Sequence, residues 1–419
     1  MTKIAIVGSG ISGLMAAYTL SPRHEVELFE SNHRAGGHAN TVLVNDAGTP
    51  TPIDTGFIVF NEQNYPVLCS LFDRLGVASH DSDMSFSVHC ETTGREWNGS
   101  SLNQVFGQRS NVLRPTHWQM LLDVLKFHKE APAVLEALSD SVTVEQWMAQ
   151  NRYSEAFCRY YLLPLGASLW SCSASHFAQF PMKFVIEFLH NHRMLQVEDR
   201  PQWKTVSGGS ISYVNAIRQS LGARIRLKEP VRKVRRVPRG VQLELSGGRA
   251  EWFDEVILAC HADEALRLLD KPHDDEREIL SFFPYQKNVA VLHRDTGLLP
   301  KRERLWGSWN FRLPANDTGE VNVTYNMNML QGLRTQNTWC VSLNPGDTVN
   351  PTLVDRTFVY HHPSFVPGRS SAQAEHDRLI RRQGISYCGA YWGYGFHEDG
   401  ARSALRVANA FEAELRSAA

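Results

Sequence analysis

At 419 residues, 42% of them hydrophobic and 21% charged, the chain is long enough to bury a sizeable core and to divide into two or three domains. A net charge of −1 gives no electrostatic footprint for nucleic acid. Seven cysteines, an odd number without a Cys-x-x-Cys pair, predict a reducing compartment, the cytoplasm by default, rather than a disulfide framework or structural zinc.

The chain opens on the apolar run Ile4-Ala5-Ile6-Val7, which predicts a strand. A first strand this early leaves no room for a signal peptide, and no apolar run reaches the ~18 residues a bilayer span needs. Any membrane contact is therefore expected to be peripheral. Gly8-Ser9-Gly10-Ile11-Ser12-Gly13 follows, then the helical stretch Leu14 to Leu20, stopped by Pro22. Gly8 allows a tight turn, Gly10 lets the backbone approach a pyrophosphate, and Gly13 lets the helix pack closely on the sheet. Ser12 stands in the first helical turn, whose free N–H groups and positive dipole end suit phosphate. A second strand, Glu25 to Phe29, ends at Glu30, 20 residues beyond Gly10, where this fold expects an acid for the ribose hydroxyls.

Residues 81–202 begin with a hairpin pattern around Phe86–Cys90 and Arg95–Trp97 and turn helical from about Pro115 to Met194. From Trp203 the nucleotide-fold pattern returns: a strand before Ser207-Gly208-Gly209-Ser210, a helix with Tyr213, Ile217 and Leu221, alternating strands near 224–245, and Trp252 to Ala259 as one continuous apolar strand. Residues 285–360 are strand-rich. Ile385 to Gly389 predicts a short strand, and Gly400 opens a final helix with Ala404, Leu405, Ala408 and Phe411 on one face. The predicted fold class is α/β: a discontinuous Rossmann-like domain from residues 1–80, 203–270 and 384–419, and a substrate domain of mixed sheet and helical cap from 81–202 and 271–383.

Glu30-Ser31-Asn32-His33-Arg34-Ala35-Gly36-Gly37-His38, Asp54-Thr55-Gly56-Phe57, Ser207-Gly208-Gly209-Ser210 and Gly395-Phe396-His397-Glu398-Asp399-Gly400-Ala401 together resemble the flavin amine oxidase and phytoene desaturase superfamily. Within it the chain is most similar to bacterial FAD/NAD-binding proteins associated with cyclopropane-fatty-acid synthases. The resemblance implies a glutathione-reductase-like fold and FAD rather than a nicotinamide cofactor. It places Arg34, Gly36 and Gly37 along the FAD toward the flavin, the Val231 backbone at the adenine, and Gly389, Asp399, Gly400 and Ala401 where a helix N-terminus faces the flavin pyrimidine ring. Such a terminus stabilises the negative charge of reduced flavin. The Ser403-Ala404 pair departs from the Ser-Gly common in the family and puts local packing in question.

Several residues carry two readings. His38 follows the double glycine and is expected to contact the cofactor through its backbone, so FAD is expected to be non-covalent. Tyr391, Trp392 and Tyr394 read either as aromatic walls of a flavin site or as core. Lys287, entering the strand-rich segment, matches the place where amine oxidases carry a lysine that orients a water at the flavin; the alternative is a surface lysine. His361-His362 and His190-Asn191-His192 lack further ligands at metal spacing, and no metal is expected. Phe180 to Leu195 carries apolar and basic residues that suit either a solvated helix face or anionic lipid. The aromatic residues of the cap, from Phe157 to Phe188, suit either an acyl-chain pocket or a core.

The function expected from this reading is FAD-dependent oxidation or desaturation of a lipid acyl chain by hydride transfer to flavin, with a small-molecule or lipid substrate and no nucleic-acid partner. The alternatives are a flavin amine oxidase and a non-catalytic flavoprotein partner of a lipid methyltransferase.

Overall fold

The computed structural model describes residues 1–196, 198–315 and 321–417. Five strands form one sheet, in the order Ile225–Arg226, Glu25–Phe29, Lys3–Val7, Glu255–Leu258, Ile385–Tyr387, and every pairing in it is parallel. Parallel strands need both faces covered, and Ile4, Ala5 and Ile6 are fully buried. The helix Ile11–Leu20 buries eight of its ten residues, because it lies between the sheet and the long helix His397–Ser417. It is therefore apolar nearly all round rather than striped. The predicted strand Trp252 to Ala259 is in fact two, Ala250–Phe253 and Glu255–Leu258. Asp254 breaks it by accepting the Lys3 backbone N–H at 2.7 Å, so the first half joins an antiparallel sheet with Val231–Val237 and Gly240–Leu245, and Trp252 turns outward.

A seven-stranded sheet runs Val354–Pro363, Tyr285–His293, Cys340–Leu343, Val323–Asn326, Trp309–Leu313, Phe86–Cys90, Glu96–Asn98. It is antiparallel except where Trp309–Leu313 meets Phe86–Cys90. Over it lie the helices Pro115–Val134, Val144–Gln150, Leu163–Trp170 and Met182–Asn191. Phe157, Leu162, Trp170, Phe180, Phe184 and Phe188 are buried together in the cap. Phe180 to Leu195 is accordingly not a lipid-facing or solvated apolar surface: its aromatic residues pack on Phe365 and Tyr394. Among the described residues no helix is long and apolar enough to cross a membrane. All seven cysteines are free thiols.

Candidate flavin site

The glycine turn is built by close contacts that tolerate no side chain in two places and leave one place open. Gly8 has φ +103°, and a Cβ there would lie 2.8 Å from the Ala259 carbonyl oxygen. A Cβ on Gly13 would lie 1.9 Å from the Gly8 carbonyl oxygen. Gly10 caps the helix with no side-chain partner for its first N–H groups, and a Cβ on it would meet nothing within 4 Å. The space in front of this helix N-terminus is therefore open, as an anion site requires.

Glu30 is buried at the end of its strand. One carboxylate oxygen accepts the Ser9 N–H at 3.0 Å and the Ser9 hydroxyl at 2.5 Å; the other accepts the Asn32 N–H at 2.8 Å. The acid is thus oriented beside the turn by the turn itself. The segment 226–229 runs along residues 30–32, with the Glu229 N–H donating to the Glu30 carbonyl at 2.9 Å, and this leads the chain to Val231, buried at the start of its strand. The loop after Glu30 crosses the glycine turn: Gly36 N–H donates to the Ser9 carbonyl at 2.9 Å, and a Cβ on Gly37 would lie 3.0 Å from the Gly10 Cα. The Arg34 guanidinium holds that loop by donating to the carbonyls of Gly37 at 2.9 Å and Ala39 at 3.2 Å.

The C-terminal motif brings a second helix N-terminus to the same place. Each of its residues has a separate contact. His397 stacks on Phe57 at 3.7 Å and meets the Tyr213 hydroxyl at 3.2 Å. Glu398 accepts the N–H groups of Val67 and Leu68, capping the helix Pro66–Leu75 from outside. Asp399 accepts the Phe396 N–H at 2.9 Å and caps its own helix. Gly400 packs against Ile11 and Ser12, so close that a Cβ would lie 2.8 Å from each; Ala401 is fully buried. The Ser403 hydroxyl accepts the Gly389 N–H at 2.9 Å and donates to the Gly400 carbonyl at 2.9 Å, tying the two parts of the motif together, and Ala404, the residue that departs from the family's Ser-Gly, is fully buried in the core beside the first helix. Arg369, fully buried and without a carboxylate partner in its hydrogen bonds, holds the Tyr391–Gly393 turn through the Tyr391 carbonyl at 2.9 Å.

His38 continues from Gly37 toward the seven-stranded sheet. Its ring lies 5.0 Å from Tyr360, 5.2 Å from His362 and 6.5 Å from His261, and its buried Nε2 has no partner. Around it Tyr360 hydroxyl meets Asn40 and Thr55, each at 2.7 Å, and Asn288 meets His362 at 2.8 Å. Burial pushes the imidazoles of His38, His362 and His261 below their ordinary value, His362 to about 4, and His397 to about 3. The cluster is uncharged at neutral pH.

These shifts have a consequence for the whole fold. Burial holds His89, His117, His128, His192, His293 and His376, like His362, at about 4. The unfolded chain takes up protons as pH falls through 6.5 while these folded imidazoles do not, so stability is lost between pH 6.5 and 4 at up to ~1.4 kcal/mol per pH unit per group. Asp54 and Asp399, raised by burial to about 6, and Glu187 and Glu398, also raised by burial, act in the opposite direction but are fewer than the imidazoles. The thermal midpoint is expected to fall by ~10 °C or more between pH 7 and pH 5, read by calorimetry. A flat profile would mean that the imidazoles are solvated.

The remaining expected site residues separate. Tyr391 is buried against Phe283, and Trp392 stacks on His376 at 4.0 Å, both in the core beside the parallel sheet. Tyr394 instead faces the cap, its hydroxyl 3.0 Å from Asn191. The three do not share one wall. Lys287 is exposed and paired with His361. By the alternation of the strand it lies on the face opposite Asn288, Tyr360 and His362, the last two being the residues that meet His38. His361 and His362 likewise point to opposite faces, while His192 stacks on Phe188. Asn288, His261, Tyr360 and Arg369 were not singled out by the sequence; the one nearby signal was the His361-His362 pair, on the strand that carries Tyr360 and pairs with that of Asn288.

A parallel sheet with a glycine turn, a buried acid held beside that turn and two helix N-termini packed together through Gly400, Ile11 and Ser12 is the architecture of a dinucleotide-binding fold. The chain belongs to the family of flavin-containing amine oxidoreductases, whose pattern matches residues 11–294. Over 284 residues it is 25% identical to a Mycobacterium tuberculosis (strain H37Rv) protein named "Putative flavin-containing monoamine oxidase AofH"; the match covers 66% of this chain and 61% of that protein. Its fold is similar to cyclohexylamine oxidase from Brevibacterium oxydans IH-35A, with a TM-score of 0.72 at 18% identity over 99% of both chains. It is also similar in fold to a CLA-producing fatty acid isomerase from P. acnes, with a TM-score of 0.68 at 14% identity over 98% of both chains. FAD is the cofactor, and the residues fit it: the open cradle at Gly10, the oriented Glu30 and the unpartnered His38 Nε2 are the features such a ligand would use.

Proposed function

We propose that this protein is a FAD-dependent oxidoreductase that removes hydride from an apolar small molecule, with a lipid acyl chain as the substrate class. Residues 1–80, 203–270 and 384–419 form its FAD-binding domain, and 81–202 with 271–383 its substrate domain. The observation that carries the reading is the succession of contacts from Glu30 to the glycine turn, from Gly10 to Gly37, and from His38 to the neutral cluster with Tyr360 and His362. When bound, the flavin supplies the hydride acceptor. Glu30 would hold the ribose, the helix starting at Ile11 the pyrophosphate, and the helix starting at His397 would stabilise negative charge on the ring. Asn288, rather than Lys287, presents its amide on the side facing His38, and fixes the His362 ring. The uncharged histidines can donate and accept hydrogen bonds without placing a cation beside the substrate.

The acyl-chain reading is supported by the resemblance of the sequence to the fatty-acid-synthase-associated branch of the superfamily and by the fold it shares with the fatty acid isomerase. Oxidation of an amine is the second reading, supported by the family and by the named activity of the mycobacterial relative. The seven free thiols support a reducing compartment such as the cytoplasm. Anaerobic mixing of the yellow protein with unsaturated fatty acids and, separately, with alkyl amines tests both: loss of the ~450 nm flavin band with the fatty acid is expected. Bleaching by amines alone would establish the second reading, and bleaching by neither class would leave a flavoprotein without oxidase chemistry on these substrates. His38 has no covalent role here, so acid precipitation should leave the colour in the supernatant.

A further inference from the structure

Six of the eleven large apolar side chains left exposed among the described residues fall within one stretch of 24: Leu102, Val112, Leu113, Trp118, Leu122 and Leu125. The stretch is knitted into one surface. Trp118 Nε1 donates to the Val112 carbonyl at 2.9 Å, and Phe106, following the helix Leu102–Val105, packs on the Trp118 ring at 4.9 Å. Leu122 and Leu125 stand four and seven positions beyond Trp118 on the helix Pro115–Val134, so the three share its outer face, while Met120, Phe127 and Ala131 fill the cap on the inner face. This helix is apolar on both sides. Leu102, at the start of its helix, and Leu113, at the end of the short helical turn Arg109–Leu113, are 80% and 86% exposed, so nearly all of each side chain stands free of the protein.

The charges around it have one sign. Residues 102–130 carry Arg109, Arg114, Lys126 and Lys129 against Asp123 and Glu130, a net +2 in a chain whose total is −1. Asp123 is turned inward to accept the Ser154 N–H, and Glu130 pairs with Lys126. Among the described residues no carboxylate pairs with Arg109, Arg114 or Lys129.

We propose that this face docks the protein on an anionic lipid surface, with the protruding leucines and Trp118 inserted at the headgroup boundary and the three bases against lipid phosphates. Fluid acyl chains accept protruding side chains without a shaped counterpart, and each base near an anionic surface adds attraction. The inference holds whichever substrate class is oxidised, because it rests on the outer face of the cap and not on the candidate flavin site.

Flotation of the FAD-loaded protein with vesicles of phosphatidylcholine and phosphatidylglycerol in equal parts tests it. The wild type is expected to float with these vesicles and to bind pure phosphatidylcholine more weakly. The triple variant Leu113→Ser, Leu122→Ser, Leu125→Ser should lose at least ~10-fold in partitioning, with flavin absorbance and thermal midpoint unchanged. Trp252→Ser, which removes an exposed aromatic residue elsewhere, should partition like the wild type. No flotation of the wild type, full binding by the triple variant, or equal loss in Trp252→Ser would overturn the proposal. So would a wild-type dimer that the triple variant converts to monomer while neither binds vesicles, since the face would then be covered by a second copy of the chain.

Discussion

The Gly10→Val protein is expected to fold and to be colourless. A Cβ at Gly10 meets nothing within 4 Å, so the added branches enter the open space before the first helix rather than the core. The structural cost is that of a poor N-cap, ~1 kcal/mol. The cost to cofactor binding is much larger if, as proposed, the same space holds the pyrophosphate against the helix N–H groups. FAD affinity should fall by ~1,000-fold or more, about 4 kcal/mol. Gly13→Val provides the contrast: its Cβ would lie 1.9 Å from the Gly8 carbonyl oxygen, and it should fail to fold. The ratio of ~450 nm to 280 nm absorbance, with circular dichroism on the same sample, separates the two outcomes. Full flavin content in folded Gly10→Val would remove the pyrophosphate from this turn.

Asp54→Ala is expected to destabilise the protein by ~3 to 5 kcal/mol. The Asp54 carboxylate is fully buried and accepts the Ser210 N–H at 3.0 Å, the Ser210 hydroxyl at 2.7 Å, the Thr41 hydroxyl at 2.6 Å and the Gln331 amide at 3.2 Å. It therefore joins the end of one hairpin, the Gly208-Gly209 loop and a residue beyond the seven-stranded sheet. The two hydroxyls can turn to each other, but the Ser210 N–H and the Gln331 amide would be left buried without an acceptor. Burial raises the Asp54 carboxyl to about 6 from an ordinary 3.8. A raised carboxyl binds its proton earlier in the folded state, so the part of the stability linked to that proton is present below pH 3.8 and is lost as pH rises through 6, while the hydrogen bonds to the carboxylate remain. Asp54→Asn keeps the volume and one acceptor without the charge, and should lie within ~1 kcal/mol of the wild type at pH 7. Chemical denaturation of the three proteins at pH 7 measures both differences. Equal stability of Asp54→Ala and wild type would mean that water reaches the joint.

Glu398 and Lys287 mark the limit of what local pattern can say. The motif around Glu398 was legible as a unit, yet its carboxylate caps a helix more than 300 residues away, a contact no spacing encodes. Lys287 matched a family position by sequence, but strand alternation puts it on the face away from His38, and the buried amide of the next residue, Asn288, takes the inward direction. A one-residue shift of register exchanges the two faces, and register is set by pairing with Val354–Pro363, not by the run itself.

The sequence by itself determined the nucleotide end of this protein, because there the chemistry is made by backbone. Gly8, Gly13, Gly36 and Gly37 are needed where φ is positive or chains cross too closely for a Cβ, Gly10 leaves the space before the first helix open, and Glu30 follows at the distance the strand length dictates. Such requirements act over a few residues and leave a readable signature. The other end was decided only by tertiary structure. His38, Tyr360, His362, His261 and Asn288 come from segments 38, 261, 288 and 360–362, each ordinary where it stands, and burial in one another's company is what makes them neutral. The same is true of the two aromatic sets: Tyr391 and Tyr394 are three residues apart, but one faces the parallel sheet and the other the cap, because the turn between them is held by Arg369 from a distant helix.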